Sequence, residues 1–107
     1  MNRPVHTGAP ALFLLSWVAA ATAAPQLQVT VNGLEDDLRE NVMAMLSIAA
    51  EAGAGEPGPA RVRALHERAG EEIRRALAAL GYYAPQIRGN LDMEGETWEA
   101  AYVVSRG

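Results

Sequence analysis

A two-layer α+β fold, a three-stranded mixed sheet covered by two helices, is the fold class that the sequence predicts. Three observations carry that expectation. The apolar periodicity changes along the chain in the order strand, helix, helix, strand, strand. The longest helical segment keeps a single apolar stripe, so it has one face to bury against a second layer. Once an apolar leader is set aside, roughly 80 residues remain, enough for one small core and no more.

The leader comes first. Arg3 stands in a short polar stretch, and "ALFLLSWVAAATAA" (Ala11 to Ala24) then runs from apolar into small residues with an A-x-A pattern, as a secretory signal peptide does. A membrane span needs about 20 apolar residues, and this run ends at Pro25. Cleavage after Ala23 fits best, because a cut after Ala24 leaves Pro25 at the first mature position. The expected division is a signal peptide over residues 1–23 and a domain over 24–107.

Composition then limits what the domain does. The 107-residue chain has no cysteine, so no disulfide can staple it in an oxidising compartment and packing alone must hold it. Its formal charge of -4 repels phosphate backbones and argues against a nucleic-acid partner. All nine basic residues are arginine.

In "QLQVTV" (Gln26 to Val31) polar and β-branched residues alternate, placing Leu27, Val29 and Val31 on one face of a strand. Asn32-Gly33 ends it. That pair ordinarily announces a hairpin, but a helical pattern follows. Asp37 with Glu40 predicts a capping box, and Leu38, Val42, Met45, Leu46 and Ala49 predict one helix from Asp37 to Glu51. "GAGEPGP" (Gly53 to Pro59) breaks it, with Pro59 suited to the first turn of the next helix. In that second helix Val62, Leu65, Ala69, Ile73, Ala76, Leu77 and Leu80 trace the buried stripe. Arg63 with Glu67, Arg68 with Glu72 and Glu71 with Arg75 lace a solvated face, each pair contributing a few tenths of a kcal/mol, about 0.2–0.5. Gly81 is placed just past the helix end. "QIRGNLDM" and "TWEAAYVV" then alternate around Gly95 as a hairpin, with Ile87, Leu91 and Met93 on one face of its first strand and Trp98, Ala100, Tyr102 and Val104 on one face of its second. Ala101 and Val103 are apolar too, which leaves open the face of the last strand that is buried.

Little in the chain predicts catalysis. His6 lies in the leader, and His66 in "HERAG" has no second histidine four residues on, so it does not complete a zinc-peptidase motif. It is expected to be a half-exposed helical residue. Ser47 and Ser105 lack a nucleophile-elbow setting, and Glu71 and Glu72 stand among arginines on a helix surface. The expectation is no enzyme, no catalytic residue, no metal, no cofactor and no small-molecule substrate.

Taken together, a strand closing on "VNGL" (Val31 to Leu34), two helices, "ALAALGYYAP" (Ala76 to Pro85) at the end of the second, and a hairpin ending "VVSRG" (Val103 to Gly107) resemble a POTRA domain, a polypeptide-transport-associated domain. In detail the chain is similar to the first POTRA domain of TamA-type outer-membrane subunits, within the Omp85 superfamily that includes BamA. Gly33, Leu34, Gly81, Tyr82, Tyr83 and Pro85 carry the resemblance, which covers nearly the whole mature chain. It implies a periplasmic module placed ahead of a membrane β-barrel that helps insert and assemble outer-membrane proteins, autotransporters among them. Outer-membrane client proteins and a TamB-like partner anchored in the inner membrane are the partners it implies. The chain stops at Gly107, where the family continues into further POTRA units and a barrel. It is therefore expected to be the N-terminal piece of a longer protein or a truncated reading frame, exported to the periplasm.

The resemblance also implies that the first hairpin strand, Gln86, Ile87, Arg88, Gly89, Asn90, Leu91 and Asp92, lies at a sheet edge. An open edge can take up an extended peptide as an added strand. The plainer alternative is a protected edge on which Arg88 and Asn90 discourage pairing. A reading from another class also stands beside the module: a free-standing small periplasmic protein of α+β fold that binds a ligand or inhibits an enzyme. Tyr82 and Tyr83, being adjacent, are expected to diverge, one ring packing at the end of the core.

Overall fold

The structure is a computed structural model and describes residues 25–107. The expected signal peptide over residues 1–23, and its cleavage position, lie outside the described residues. From the N-terminus the elements are β1 (Gln26–Asn32), α1 (Asp36–Met45), α2 (Ser47–Ala54), α3 (Pro59–Ala78), β2 (Gln86–Asp92) and β3 (Thr97–Ser105). The strands form one mixed sheet in the order β1-β3-β2. β1 runs parallel to β3 with Leu27 beside Trp98, Val29 beside Ala100 and Val31 beside Tyr102. β2 runs antiparallel to β3 with Ile87 beside Val104, Gly89 beside Tyr102 and Leu91 beside Ala100. The fold is thus the expected α+β class with a three-stranded mixed sheet, covered by three helices instead of two.

The alternation of β3 settles which of its faces is buried. Trp98, Ala100, Tyr102 and Val104 are all buried, whereas Val103 is 55% exposed. Leu27 and Val31 of β1 join them, and Val62, Leu65, Ala69, Ile73, Ala76 and Leu77 of α3 close the core from the helical side. Only the last residue of the expected stripe falls away: Leu80 lies beyond the helix and is 46% exposed.

The single helix expected from Asp37 to Glu51 is broken at Leu46, which adopts extended backbone angles (φ -86°, ψ 117°) between α1 and α2. A reason lies in side-chain size. A continuous helix brings Ala49 under the face shared by Val42 and Leu46 and turns Ile48, two residues past Leu46, to the far side. The break reverses this, burying Ile48 completely together with Val42 and Leu46 and leaving Ala49 half-buried. Burying isoleucine in place of alanine favours the break by about 1–2 kcal/mol. Met45, expected on the apolar face, is 59% exposed.

A new helix N-terminus inside the domain needs acceptors for its free N–H groups, and Glu72 of α3 supplies them. The Ser47 N–H donates to Glu72 Oε1 at 2.9 Å and the Ser47 hydroxyl to Oε2 at 2.6 Å. The carboxylate also lies at the positive end of the α2 dipole. Glu72 is therefore no surface acid, as its arginine neighbours suggested; it is a buried residue, 9% exposed, with Arg68 at 3.6 Å. Of the other expected pairs, Glu71–Arg75 stands at 3.9 Å with both side chains well exposed, and Arg63–Glu67 is not among the ion pairs of the described residues. At the start of α1 the N-cap position is Glu35, without a side-chain cap, so the expected Asp37–Glu40 capping box does not form; Asp36 and Asp37 instead place negative charge in the first turn.

Two glycines hold the chain reversals. Gly33 has φ +101°, and a Cβ there would stand 2.1 Å from the carbonyl oxygen of Val104. Gly81, at φ +95°, follows α3; its N–H donates to the Ala78 carbonyl at 3.0 Å and the Tyr82 N–H to the Leu77 carbonyl at 2.9 Å, the Schellman pattern.

Glu72→Ala is expected to lose about 2 kcal/mol of stability in urea unfolding, because it strands the Ser47 N–H and hydroxyl; Glu72→Gln, which keeps one acceptor oxygen, should lose less. Gly33→Ala should cost about 1–3 kcal/mol from its backbone conformation, before the clash with Val104 is counted. Equal urea midpoints for wild type and Glu72→Ala would contradict the capping role.

Candidate functional site

The candidate edge strand occupies a true edge of the sheet, since β2 pairs with β3 on one side only. One row of its backbone N–H and C=O groups is therefore left without a strand partner. Gln86, Arg88, Asn90 and Asp92 are exposed, and Ile87 and Leu91 are half-buried against the core. Gly89 stands between them, opposite Tyr102. No residue of β2 is fully buried, unlike β1 and β3.

Two concavities flank this strand. The larger, of about 660 Å³, opens where Gln86, Ile87 and Arg88 face Val103 to Gly107 and Gly33. The smaller, of about 200 Å³, lies between β2 and α3 and is lined by His66, Gly70, Arg74, Ile87, Gly89 and Tyr102. The opposite edge, β1, has its own depression of about 260 Å³, into which α1 brings Arg39 and Met43 beside Val29 to Asn32.

The family-motif residues gather at one end of the domain, beside the larger concavity. Arg106, just past β3, pairs with Glu35 at 2.5 Å and lies 5.5 Å from the centre of the Tyr82 ring. This links the turn carrying Gly33 and Leu34 with the corner carrying Gly81, Tyr82 and Pro85. Tyr82, Leu34 and Pro85 are half-buried, and Tyr82 packs against the core. Tyr83 turns away and is 81% exposed.

One polar pair was not legible beforehand. His66 Nδ1 lies 2.7 Å from the hydroxyl of Tyr102, whose ring is buried in the middle of the sheet. A buried tyrosine needs a partner for its O–H, and that requirement, with Tyr102 already assigned to the apolar face, was the signal pointing to His66. Burial, with the Glu72 carboxylate as the smaller cause, pushes the Tyr102 hydroxyl up to about 12. Elsewhere the reactive side chains are engaged structurally: the Ser47 hydroxyl donates to Glu72, and the Ser105 hydroxyl accepts from the Gly107 N–H at 3.4 Å. Among the described residues no three His, Asp or Glu side chains stand together as a metal site, and no helix is long and apolar enough to cross a membrane.

The family model described as POTRA domain TamA domain 1 matches residues 28–106, from the third residue of β1 to just past the end of β3. Among curated proteins, none matches the chain.

The Tyr102 environment gives an alkaline prediction. Its folded value of about 12 lies above the ordinary 10, so the unfolded chain loses this proton first as pH rises. The stabilisation is complete below pH 10 and is lost between pH 10 and about 12. Urea midpoints measured across that window should fall more steeply for wild type than for Tyr102→Phe; parallel declines would contradict the assignment.

Proposed function

The chain belongs to the POTRA family, of the TamA domain 1 type, and on that premise we propose that it acts in the periplasm as the leading contact module of an outer-membrane protein assembly factor. POTRA domains are protein-interaction modules, and family membership favours this reading over a free-standing binding or inhibitor protein. In this reading residues 1–23 direct export, and the domain meets outer-membrane client polypeptides, autotransporters included, and a TamB-like partner.

The observation that carries the proposal is the open β2 edge. Gln86 to Asp92 offers a strand-length row of unpaired backbone groups, with the notch towards α3 beside it to receive a side chain of an incoming strand. A client segment in extended form adds to β2 by main-chain hydrogen bonds, and the flanking surfaces select among segments. This is contact without chemistry. The alternative of a guarded edge rests on Arg88 and Asn90, both exposed on the strand.

Arg88→Pro tests this. In a variant still folded by circular dichroism, cross-linking of unfolded outer-membrane barrel polypeptides to the domain should fall at least several-fold. Asn90→Lys, which charges the edge without touching the ladder, should weaken capture in the same direction. Undiminished capture by both folded variants would exclude β2 as the docking strand.

A further inference from the structure

The notch between α3 and β2 is built from two donors and two glycines. Neither glycine is required by its backbone, since neither Gly70 nor Gly89 has positive φ. Gly70 interrupts the middle of α3, where glycine disfavours the helix, and a Cβ there meets only Arg74 Nη1, at 3.6 Å. Gly89 faces it from β2; a Cβ there would press to 3.0 Å on the Tyr102 ring and 3.2 Å on His66 Cε1. Their combined effect is to keep the floor of the notch open down to Tyr102 and the His66 ring.

The donors are His66 and Arg74. Among the described residues Tyr102 has no hydrogen-bond partner other than His66, and the tautomer in which its O–H donates to Nδ1 leaves the imidazole hydrogen on Nε2. The His66 ring reaches the notch through Cε1, the carbon between its two nitrogens, which lies 3.2 Å from the position of a Gly89 Cβ. Arg74 folds its guanidinium over Gly70 and, unlike Arg39, Arg61, Arg68, Arg75 and Arg106, has no carboxylate within 4.0 Å among the described residues. Neither Glu67 nor Glu71 lines the notch. A cationic guanidinium and an imidazole therefore line a site of about 200 Å³ that holds no carboxylate side chain, its one hydroxyl being that of Tyr102, engaged with His66.

We infer that this notch receives the carboxylate of an aspartate or glutamate carried by the strand that adds to β2, an inference that rests on the strand-addition reading for the carrier but not for the pocket. A carboxylate is acceptor-only and matches the guanidinium fork. Along an added strand every second side chain faces the helical layer. The one level with Gly89 enters the notch, and its neighbours two residues away on either side meet Ile87 and Leu91, both half-buried. The recognised segment thus has the form apolar, any, acidic, any, apolar.

Two probes separate the pocket from the strand. The first is a peptide, acetyl-Thr-Val-Thr-Glu-Thr-Val-Thr-amide, compared with its Gln counterpart by titration calorimetry on the full chain and on Arg74→Gln. The Glu peptide should bind about ten-fold more tightly than the Gln peptide, as a charge-assisted hydrogen bond allows, and Arg74→Gln should erase that ratio while leaving Gln-peptide affinity intact. The second is N-acetyl-glutamate N-methylamide, too short to form a strand, which should shift the amide signals of Gly70 and Gly89 where the glutamine analogue does not. Peptides that bind equally well to both proteins overturn the acidic notch and leave strand addition standing. Shifts from the small probe with no peptide binding support the notch and count against strand addition. No response to either probe overturns the notch.

Discussion

Everything in this domain is referred to β3. It is the one strand with a neighbour on each side, parallel to β1 and antiparallel to β2, and its inward residues Trp98, Ala100, Tyr102 and Val104 form the floor on which the helices rest. A parallel pairing cannot be closed by a tight turn and needs a long crossover; α1, α2, α3 and the whole of β2 lie within it. Because the last strand takes the centre, the strand before it is left at the edge. The open row of β2 is thus a consequence of topology. Gly33 is part of the same constraint, since the chain leaving β1 must pass against the Val104 carbonyl with no room for a Cβ.

Glu72 carries that constraint into the helical layer. α3 is held to the sheet by its apolar stripe, and its buried carboxylate fixes where α2 begins by accepting both hydrogen bonds from Ser47. The break at Leu46 then turns Ile48 inward. One side chain on the longest helix in this way sets the direction of the element packed beside it. The same helix turns another side to β2, bringing His66, Gly70 and Arg74 beside the edge strand, so core packing and the proposed docking edge share a scaffold.

Much of this was legible in the residues, and the gaps have physical causes. Strand periodicity located the buried face of β1 but left that of β3 open, because Ala101 and Val103 are apolar too; Gly81 marked the end of α3, and the order of elements together with the "VNGL" and "GYYAP" stretches pointed to the POTRA family that the family match establishes. Helical periodicity put Ala49 on the buried face and passed over Ile48 because it assumes an unbroken helix, and the break depends on a residue 25 positions away. Glu72 looked solvated because its sequence neighbours are charged; its environment is decided by α2, which no local window contains. His66 and Tyr102 were each read separately, as a half-exposed residue and a core aromatic, and only the packing of α3 across β3 joins them. The edge position of β2 followed from family resemblance, while the two glycines of the notch carried no signal in sequence, since neither sits at a turn.

The central claim is that the outer row of β2 backbone groups is unpaired in the free domain and becomes paired when an extended segment binds. Amide hydrogen exchange along Gln86 to Asp92, followed by NMR, tests it most directly. In an antiparallel edge strand the N–H groups point alternately to the neighbour and away from it. Alternate amides should exchange rapidly in the free protein and become protected, as a set, when an outer-membrane barrel segment is bound. Protection of all the β2 amides in the free protein, or outward amides that stay unprotected in the complex, would contradict the account.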